Sequence, residues 1–240
     1  MPTQSYYSQF GEDKILNKIF KSKTGVCVEV GGFDGITGSN TYYFEQQGWK
    51  CLIVEPMPKF CQTILKNRNC LLIEKAASEQ EGETSFYIAT GVETLSTIET
   101  NPEHLSRIKS LSSEAIEKIT VNTSRLDKIL IDNGMREIDF LTIDVEGHEL
   151  SVLKGLSFSN ISIRIIIIED NFNGLDPRVE LILNESGYIK FKRTGCNDWY
   201  AKKGDSLLTP FSVYSTKVQM QGIKLKRKTK LLLQHLKLIP

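Results

Sequence analysis

The chain of 240 residues lacks several features that would place it in a specialised class of proteins. Its five cysteines include no CxxC pair and no zinc-site spacing, and their odd number without a signal peptide predicts a reducing compartment. No apolar run approaches the roughly 20 residues that span a bilayer, so we expect a cytoplasmic location. The formal net charge of +1 gives no general attraction to nucleic acid, and we predict no nucleic-acid partner.

Strand-like apolar runs alternate with amphipathic stretches over most of the chain. We expect one main domain at 25–204, preceded by a helical lead-in at 1–24 and followed by a basic extension at 205–240. The polar segment 90–117 is either a mobile lid over an acceptor or an ordinary surface excursion. Strands are predicted at 25–30, 50–54, 71–76, 84–89, 119–122, 138–143, 164–168, 188–192 and 199–202, and helices at 40–47, 58–67, 125–133, 149–154 and 177–185.

This alternation predicts an α/β fold with a mainly parallel sheet and helices on both faces. The run of four isoleucines at 165–168 is typical of a central strand that is buried on both sides. Because ligands of such sheets bind at the carboxyl ends of the strands, the residues that follow each strand are the first candidates for a site.

Carboxylates follow four of the predicted strands. A crevice lined by them would repel the phosphates of a dinucleotide, which need backbone N–H groups and no nearby anion. The turn GGFDG at 31–35 also lacks the GxGxxG order of a dinucleotide-binding turn. In chain order, the carboxylates are Glu29, Glu55, Asp144, Glu146, Glu169 and Asp170.

A ligand with cations and ribose hydroxyls fits such a crevice better, and S-adenosylmethionine has a sulfonium, an amino group and no phosphate. Glu29 can meet the amino group directly or through water, and backbone N–H groups near Asn40 and Thr41 can meet the ligand carboxylate. Glu55 can accept hydrogen bonds from both ribose hydroxyls. The sequence therefore predicts S-adenosylmethionine as a cofactor.

At this point the sequence resembles the FkbM family of S-adenosylmethionine-dependent methyltransferases, over about 8–195. The resemblance implies a class I methyltransferase fold, which is Rossmann-like and has a mainly parallel, seven-stranded sheet with one reversed strand. It also implies methylation of a hydroxyl, often on a sugar or polyketide, as in surface-polysaccharide or natural-product biosynthesis. The similar blocks are SQFGEDKIL (8–16), VEVGGFDGITGSNT (28–41), LIVEPMP (52–58), IDFLTIDVEGHELSVLKGL (138–156) and IIIIED (165–170).

The strand ends and the resemblance together give a set of predicted cofactor contacts. Ala77 and Ser78, after the third strand, would lie near the adenine, whose amino group would be met by backbone or by Ser78. The full set is Glu29, Gly31, Phe33, Asp34, Asn40, Thr41, Glu55, Pro56, Ala77, Ser78 and Asp144.

A hydroxyl acceptor must lose its proton as it attacks, and three side chains are candidate bases. Asp144 would lie beside the methyl group, His148 offers an imidazole, which suits neutral pH, and Glu146 stands between them. A divalent ion such as Mg²⁺ is a further alternative, because Asp144, Asp170 and Asn171 resemble the magnesium ligands of catechol-type O-methyltransferases.

Other functions stay open at this point. The acceptor atom is alternatively a nitrogen or a phosphoramidate oxygen. In a different class, the chain is a nicotinamide-dependent oxidoreductase, or a module that binds its ligand without catalysis.

The segment 222–240 carries five lysines and one arginine with apolar residues between them. This pattern favours either a helix on an anionic membrane or on a partner, or a helix packed on its own domain. The acceptor is expected to be a small molecule or a glycan, and a homodimer is a further expectation.

Overall fold

A computed structural model of the chain describes residues 5–21, 23–88, 96–98 and 117–235, and contains ten strands and seven helices within those ranges. The strands are β1 (Val26–Val30), β2 (Lys50–Val54), β3 (Leu71–Ile73), β4 (Ala76–Ala77), β5 (Gly82–Ile88), β6 (Glu117–Ser124), β7 (Glu137–Ile143), β8 (Ser162–Glu169), β9 (Tyr188–Thr194) and β10 (Asn197–Lys202). The helices are α1 (Glu12–Phe20), α2 (Tyr42–Gln46), α3 (Pro58–Asn67), α4 (Leu126–Asp132), α5 (Glu149–Lys154), α6 (Arg178–Glu185) and α7 (Pro210–His235).

The large sheet has the strand order β3-β2-β1-β7-β8-β10-β9. β10 runs antiparallel to both neighbours, whereas the other pairings are parallel, which confirms the seven-stranded, mainly parallel class I methyltransferase sheet with one reversed strand. Val30 lies beside Val54 and Ile143, and Ile143 lies beside Ile168. The residues that follow β1, β2, β7 and β8 therefore share one edge of the sheet.

Alternating side chains of the central strands pack into two apolar cores, one on each face of the sheet. Ile166 and Ile168 of β8 join the core that contains α4 and α6, whereas Ile165 and Ile167 join the core that contains α1 and α2. The prediction of a central strand that is covered on both sides is thus confirmed. Phe140 of β7 anchors the second core, and its ring centroid lies 4.9 Å from that of Phe44.

The strand predicted at 71–76 is divided between two sheets. Glu74 and Lys75 are exposed and separate β3, at the edge of the large sheet, from β4, which belongs to a small sheet of order β4-β6-β5. β5 and β6 are longer than predicted and pair antiparallel along their length. Phe86 and Val121 of this small sheet pack with Phe60 of α3 into a third apolar cluster that borders the site.

Within the basic extension predicted at 205–240, residues 210–235 form a single helix, α7. Its first half packs against β9, with Thr216 and Met220 buried. Within the described ranges, no helix is both long and apolar enough to cross a membrane.

Candidate active site

A pocket of about 820 Å³ opens where β1, β2, β7 and β8 end. This volume is in the range of small-molecule and cofactor sites. Five carboxylates line the pocket, and the lining residues that the structure describes include no lysine and no arginine. The carboxylates are Glu29, Glu55, Asp144, Glu146 and Glu169.

Glu55, at the end of β2, holds the glycine-rich turn that follows β1. Its Oε2 accepts hydrogen bonds from the backbone N–H groups of Gly32 at 3.0 Å and Phe33 at 3.2 Å, and its Oε1 accepts one from Met57 at 2.9 Å. Burial raises the pKa of Glu55 to about 7, against the lowering effect of these three N–H groups. Because each carboxylate oxygen has two lone pairs, Glu55 can still accept from a ligand hydroxyl.

Gly31, the first residue of this turn, is required by close packing of two strand ends. Its φ is +90°, and a Cβ there would lie 1.8 Å from the backbone oxygen of Asp144. Phe33 also has a positive φ, of 47°, which is an uncommon conformation for a residue with a side chain and occurs mainly where surrounding structure enforces it. The turn is therefore fixed in shape before any ligand binds.

Glu29 is buried at the end of β1 and binds the segment that leads into α2. Its Oε1 accepts from the backbone N–H of Asn40 at 2.9 Å, and its Oε2 accepts from the hydroxyls of Ser39 at 2.7 Å and Thr41 at 2.5 Å. Burial raises the pKa of Glu29, and the Arg68 guanidinium opposes that rise. Glu29 thus orders 39–41, and its predicted contact with an amino group stays a prediction.

Asn40, which lines the pocket, has an unused acceptor. Its Nδ2 donates to the hydroxyl of Thr142 at 2.9 Å. Its Oδ1 is buried and accepts no hydrogen bond from the described residues. Because an unpaired buried acceptor is costly, this atom fits a ligand that donates a hydrogen bond, such as an ammonium group.

Asp144 follows β7, and Glu169 is the last residue of β8. Their carboxyl groups are hydrogen-bonded to each other. Burial and the negative charges of Asp144, Glu146 and Glu149 raise the pKa of Glu169 to about 10. The pKa of Asp144 is also raised, because the surrounding protein limits its contact with bulk water. Its side chain is nevertheless exposed to the open pocket. Glu169 therefore carries a proton at neutral pH and donates it in a hydrogen bond to Asp144.

The loop after β7 is held in the way that Glu55 holds the first turn. Glu149 is buried, and its Oε1 accepts from the backbone N–H groups of Val145 at 3.2 Å and Gly147 at 3.0 Å. Burial raises the pKa of Glu149 to about 7. Between these anchors, Glu146 has a φ of 52°, and its carbonyl oxygen accepts from the hydroxyl of Thr97 at 2.9 Å.

Thr97 belongs to the segment predicted as a lid or surface excursion at 90–117. Residues 96–98 are described, and Ser96 and Ile98 line the pocket. The rest of the segment, apart from residue 117, lies outside the described residues.

The predicted residues divide between the pocket wall and its support. Ser78 supports the wall, because its hydroxyl lies 3.1 Å from that of Ser151 and 3.4 Å from Nε2 of His148. Thr41 acts through Glu29, and Asp34 accepts from Ile36 and Thr37 within its own turn. The predicted residues that do line the pocket are Glu29, Gly31, Phe33, Asn40, Glu55, Pro56, Ala77, Asp144, Glu146, His148 and Asn171.

The structure does not support the predicted set of magnesium ligands, because it does not bring all three together. Asp170 turns away from the pocket and pairs with Arg193 at 2.9 Å. Asn171 donates its Nδ2 to Glu169 at 2.6 Å, so its amide nitrogen faces the carboxylates. Asp144, Glu146 and Glu169 each place one oxygen within 4.8 Å of the others, and protonation of Glu169 relieves part of their repulsion.

Sequence reasoning predicted Phe33 but missed the other residues of an apolar end of the pocket. This end is formed by Phe33 and Phe60, whose rings meet edge-to-face at 4.7 Å, with Phe86 from the small sheet. Tyr7 and Gln9 enter from the segment before α1. The block SQFGEDKIL gave a clue to the position of Tyr7 and Gln9. Its Asp13 carboxylate accepts hydrogen bonds from the backbone N–H groups of Tyr7 and Ser8 and so fixes this segment.

Comparisons with known proteins agree with this geometry. The model of the methyltransferase FkbM domain family matches residues 29–190, which is more than half of the chain. A curated relative, the methyltransferase sdnD of Sordaria araneosa, is 33% identical over 81 residues, which cover 30% of this chain and 31% of that protein.

Solved structures show a general similarity at low sequence identity. A TehB-like methyltransferase from Corynebacterium glutamicum gives a TM-score of 0.43 at 8% identity, covering 82% of this chain and 89% of that one. An O-methyltransferase from Bacillus cereus gives a TM-score of 0.38 at 13% identity, covering 83% and 81%. Because these scores are low, the fold assignment rests on the strand order of this chain.

Proposed function

The chain belongs to the methyltransferase FkbM domain family, and we propose that it transfers a methyl group from S-adenosylmethionine to a hydroxyl of a sugar or related small molecule. When bound, S-adenosylmethionine supplies an electrophilic methyl group on a positively charged sulfur. The residues of this chain would then bind the cofactor, orient the acceptor and remove its proton.

The observation that carries the proposal is the charge of the pocket. Five carboxylates line it without a lysine or arginine among the described lining residues. A pyrophosphate would be repelled there, whereas a sulfonium and an ammonium would be attracted. This contrast favours S-adenosylmethionine over a nicotinamide dinucleotide.

The walls of the pocket suit the separate parts of this cofactor. The unused Oδ1 of Asn40 would accept from the ammonium group. Glu55 would accept from the ribose hydroxyls with its remaining lone pairs, and the apolar end at Phe33, Phe60 and Phe86 would hold the adenine ring.

Asp144 is the side chain best placed to accept the proton of the acceptor. It is open to the pocket, and Glu169, whose pKa is raised to about 10, donates its proton in a hydrogen bond to Asp144. The cofactor would supply the methyl group and keep the electron pair of its carbon–sulfur bond, so the acceptor hydroxyl would have to lose its proton to a side chain of this protein. The hydroxyl proton passes to Asp144, whose raised pKa makes it a stronger base than an ordinary aspartate.

Calorimetric titrations with S-adenosylmethionine and, separately, with NADH test the cofactor assignment. Glu55→Ala is a poor probe, since it would also release the turn at Gly32 and Phe33. Asn40→Ala removes the unused acceptor and should weaken binding by about tenfold. The matched control is Asn133→Ala, at the end of α4, where Nδ2 donates to the Ile129 carbonyl at 2.8 Å.

The outcomes of this titration are distinct. Binding by the wild type and by Asn133→Ala, with weaker binding by Asn40→Ala, supports the proposal. A wild type that binds NADH and not S-adenosylmethionine would establish the oxidoreductase alternative instead.

Turnover measurements test the role of Asp144 and the chemistry of the acceptor. With a panel of free sugars and glycosides as acceptors, Asp144→Asn should lower the rate of S-adenosylhomocysteine formation by about a hundredfold. His148→Gln should change the rate only a few-fold, because His148 contacts Ser78 beside the pocket. An amine acceptor that is methylated at nearly the wild-type rate by Asp144→Asn would show N-methylation and contradict the hydroxyl proposal.

A further inference from the structure

Helix α7 presents an apolar stripe that its own domain leaves exposed. Phe211, Tyr214, Leu225 and Leu232 have exposed fractions of 80%, 69%, 67% and 58%. With Val218, they recur at heptad spacing and fall within roughly 60° of one another around the helix axis. Thr216 and Met220, which are buried, lie on a different face. Exposed apolar surface of this regularity is typical of a binding surface.

The charge around this stripe has one sign. Residues 206–240 contain six lysines and one arginine and no aspartate or glutamate. The exposed Lys217 and Lys228 lie within about 60–85° of the centre of the stripe on one side, and Lys226 lies at about 95° on the other. Lysines in these positions can extend their ammonium groups towards a charged plane while the stripe contacts an apolar layer.

A second copy of the chain is a poor occupant for this stripe. In a helix pair, the flanking positions need opposite charges, and every flanking charge of α7 is positive. A bilayer with anionic headgroups supplies both an apolar layer and negative charge at the depths that the stripe and the lysines require.

We propose that α7 binds the protein to the surface of an anionic membrane, with its apolar stripe at the boundary of the acyl chains. This interaction does not depend on the activity proposed above. Binding should weaken as ionic strength rises, because dissolved salt screens the attraction between the exposed lysines and the anionic headgroups.

Co-sedimentation of the full chain with vesicles tests the proposal. The vesicles contain phosphatidylcholine alone, or equimolar phosphatidylcholine and phosphatidylglycerol. We expect binding to the anionic vesicles only. Substitution of Lys226, Lys228 and Lys230 by Gln should weaken it by about a hundredfold, because each lysine contributes roughly a fivefold factor, and Leu225→Gln with Leu232→Gln should weaken it by about tenfold.

A matched charge control places the same three Lys→Gln changes at Lys66, Lys75 and Lys203, which are exposed outside α7. This variant should bind like the wild type. Circular dichroism of each variant checks that helix content is retained. Equal loss in the control variant, or no binding by the wild type, would overturn the proposal. So would sedimentation showing a dimer that the two Leu→Gln changes abolish, since a second copy would then occupy the stripe.

Discussion

Substitution of Gly31 by alanine probes the contact that sets the distance between β1 and β7. The methyl group would lie 1.8 Å from the backbone oxygen of Asp144, so the two strand ends must separate. That movement would stretch the hydrogen bond from the Asp144 N–H to the Val30 oxygen, now 2.9 Å. It would also displace the carboxyl group on which the proposed chemistry depends.

The expected cost follows from three contributions. A positive φ of 90° at a residue with a Cβ costs about 1–2 kcal/mol. The lost hydrogen bond contributes about 1 kcal/mol, and overpacking about 1–3 kcal/mol. The Gly31→Ala variant should therefore lose about 4 kcal/mol of unfolding free energy, which lowers the melting temperature by about 10 °C in a chain of this size.

Gly48→Ala provides a matched control outside the pocket. Gly48 has a φ of +83°, and nothing lies within 4 Å of its added Cβ, so only the conformational cost applies. Thermal unfolding followed by circular dichroism should place its melting temperature about 5 °C below the wild type. Equal melting temperatures for the two variants would refute the argument, because they would show that the strand ends separate without cost.

Three further predictions follow from the structure. Glu149 has a pKa near 7 in the fold against 4.5 as a free side chain, so it stabilises the fold below about pH 4.5 and this contribution, about 3 kcal/mol, is lost as the pH rises through 7. Denaturant titrations from pH 4.5 to pH 7 should show that the free energy of unfolding falls less with pH in Glu149→Gln than in the wild type. Parallel plots of unfolding free energy against pH would contradict the burial argument. Phe140→Ala, in the aromatic core, should lose about 3–5 kcal/mol of unfolding free energy with an unchanged denaturant slope, and a loss under 1 kcal/mol would show that the core refills the cavity. Methyl transfer should be the same with EDTA as with added Mg²⁺, because Asp170 is paired with Arg193, and activity that requires Mg²⁺ would contradict this assignment.

The positions of the central carboxylates could be predicted because they depend on one rule of sheet geometry. Parallel strands that end in register place their following residues at one edge, and the apolar runs before Glu55 and Asp144 were long enough to locate those ends. The choice between Glu169 and Asp170 could not be made in the same way. Neighbouring residues of a strand point to opposite faces, so an uncertainty of one residue in where β8 ends exchanges a pocket residue for a partner of Arg193.

The parts of the site that could not be predicted come from segments without a periodic pattern. Tyr7 lies in a lead-in whose course is fixed by Asp13, and Phe86 lies in a small sheet that forms only because the chain leaves the large sheet after Ile73. Such tertiary arrangements depend on contacts between residues far apart in sequence, and no local pattern reports them.

Glu55 and Glu149 explain why the pocket can hold so many carboxylates in one place. Each accepts hydrogen bonds from backbone N–H groups of a loop, and each has a pKa near 7. They are therefore partly neutral near pH 7, so that Glu55 in the lining and Glu149 outside it add less negative charge to the pocket. A bound cation would favour the ionised form of the same groups and strengthen the hydrogen bonds that hold the loops. Ionisation of these two glutamates is thus coupled both to binding of a cation and to the stability of the loops that shape the pocket.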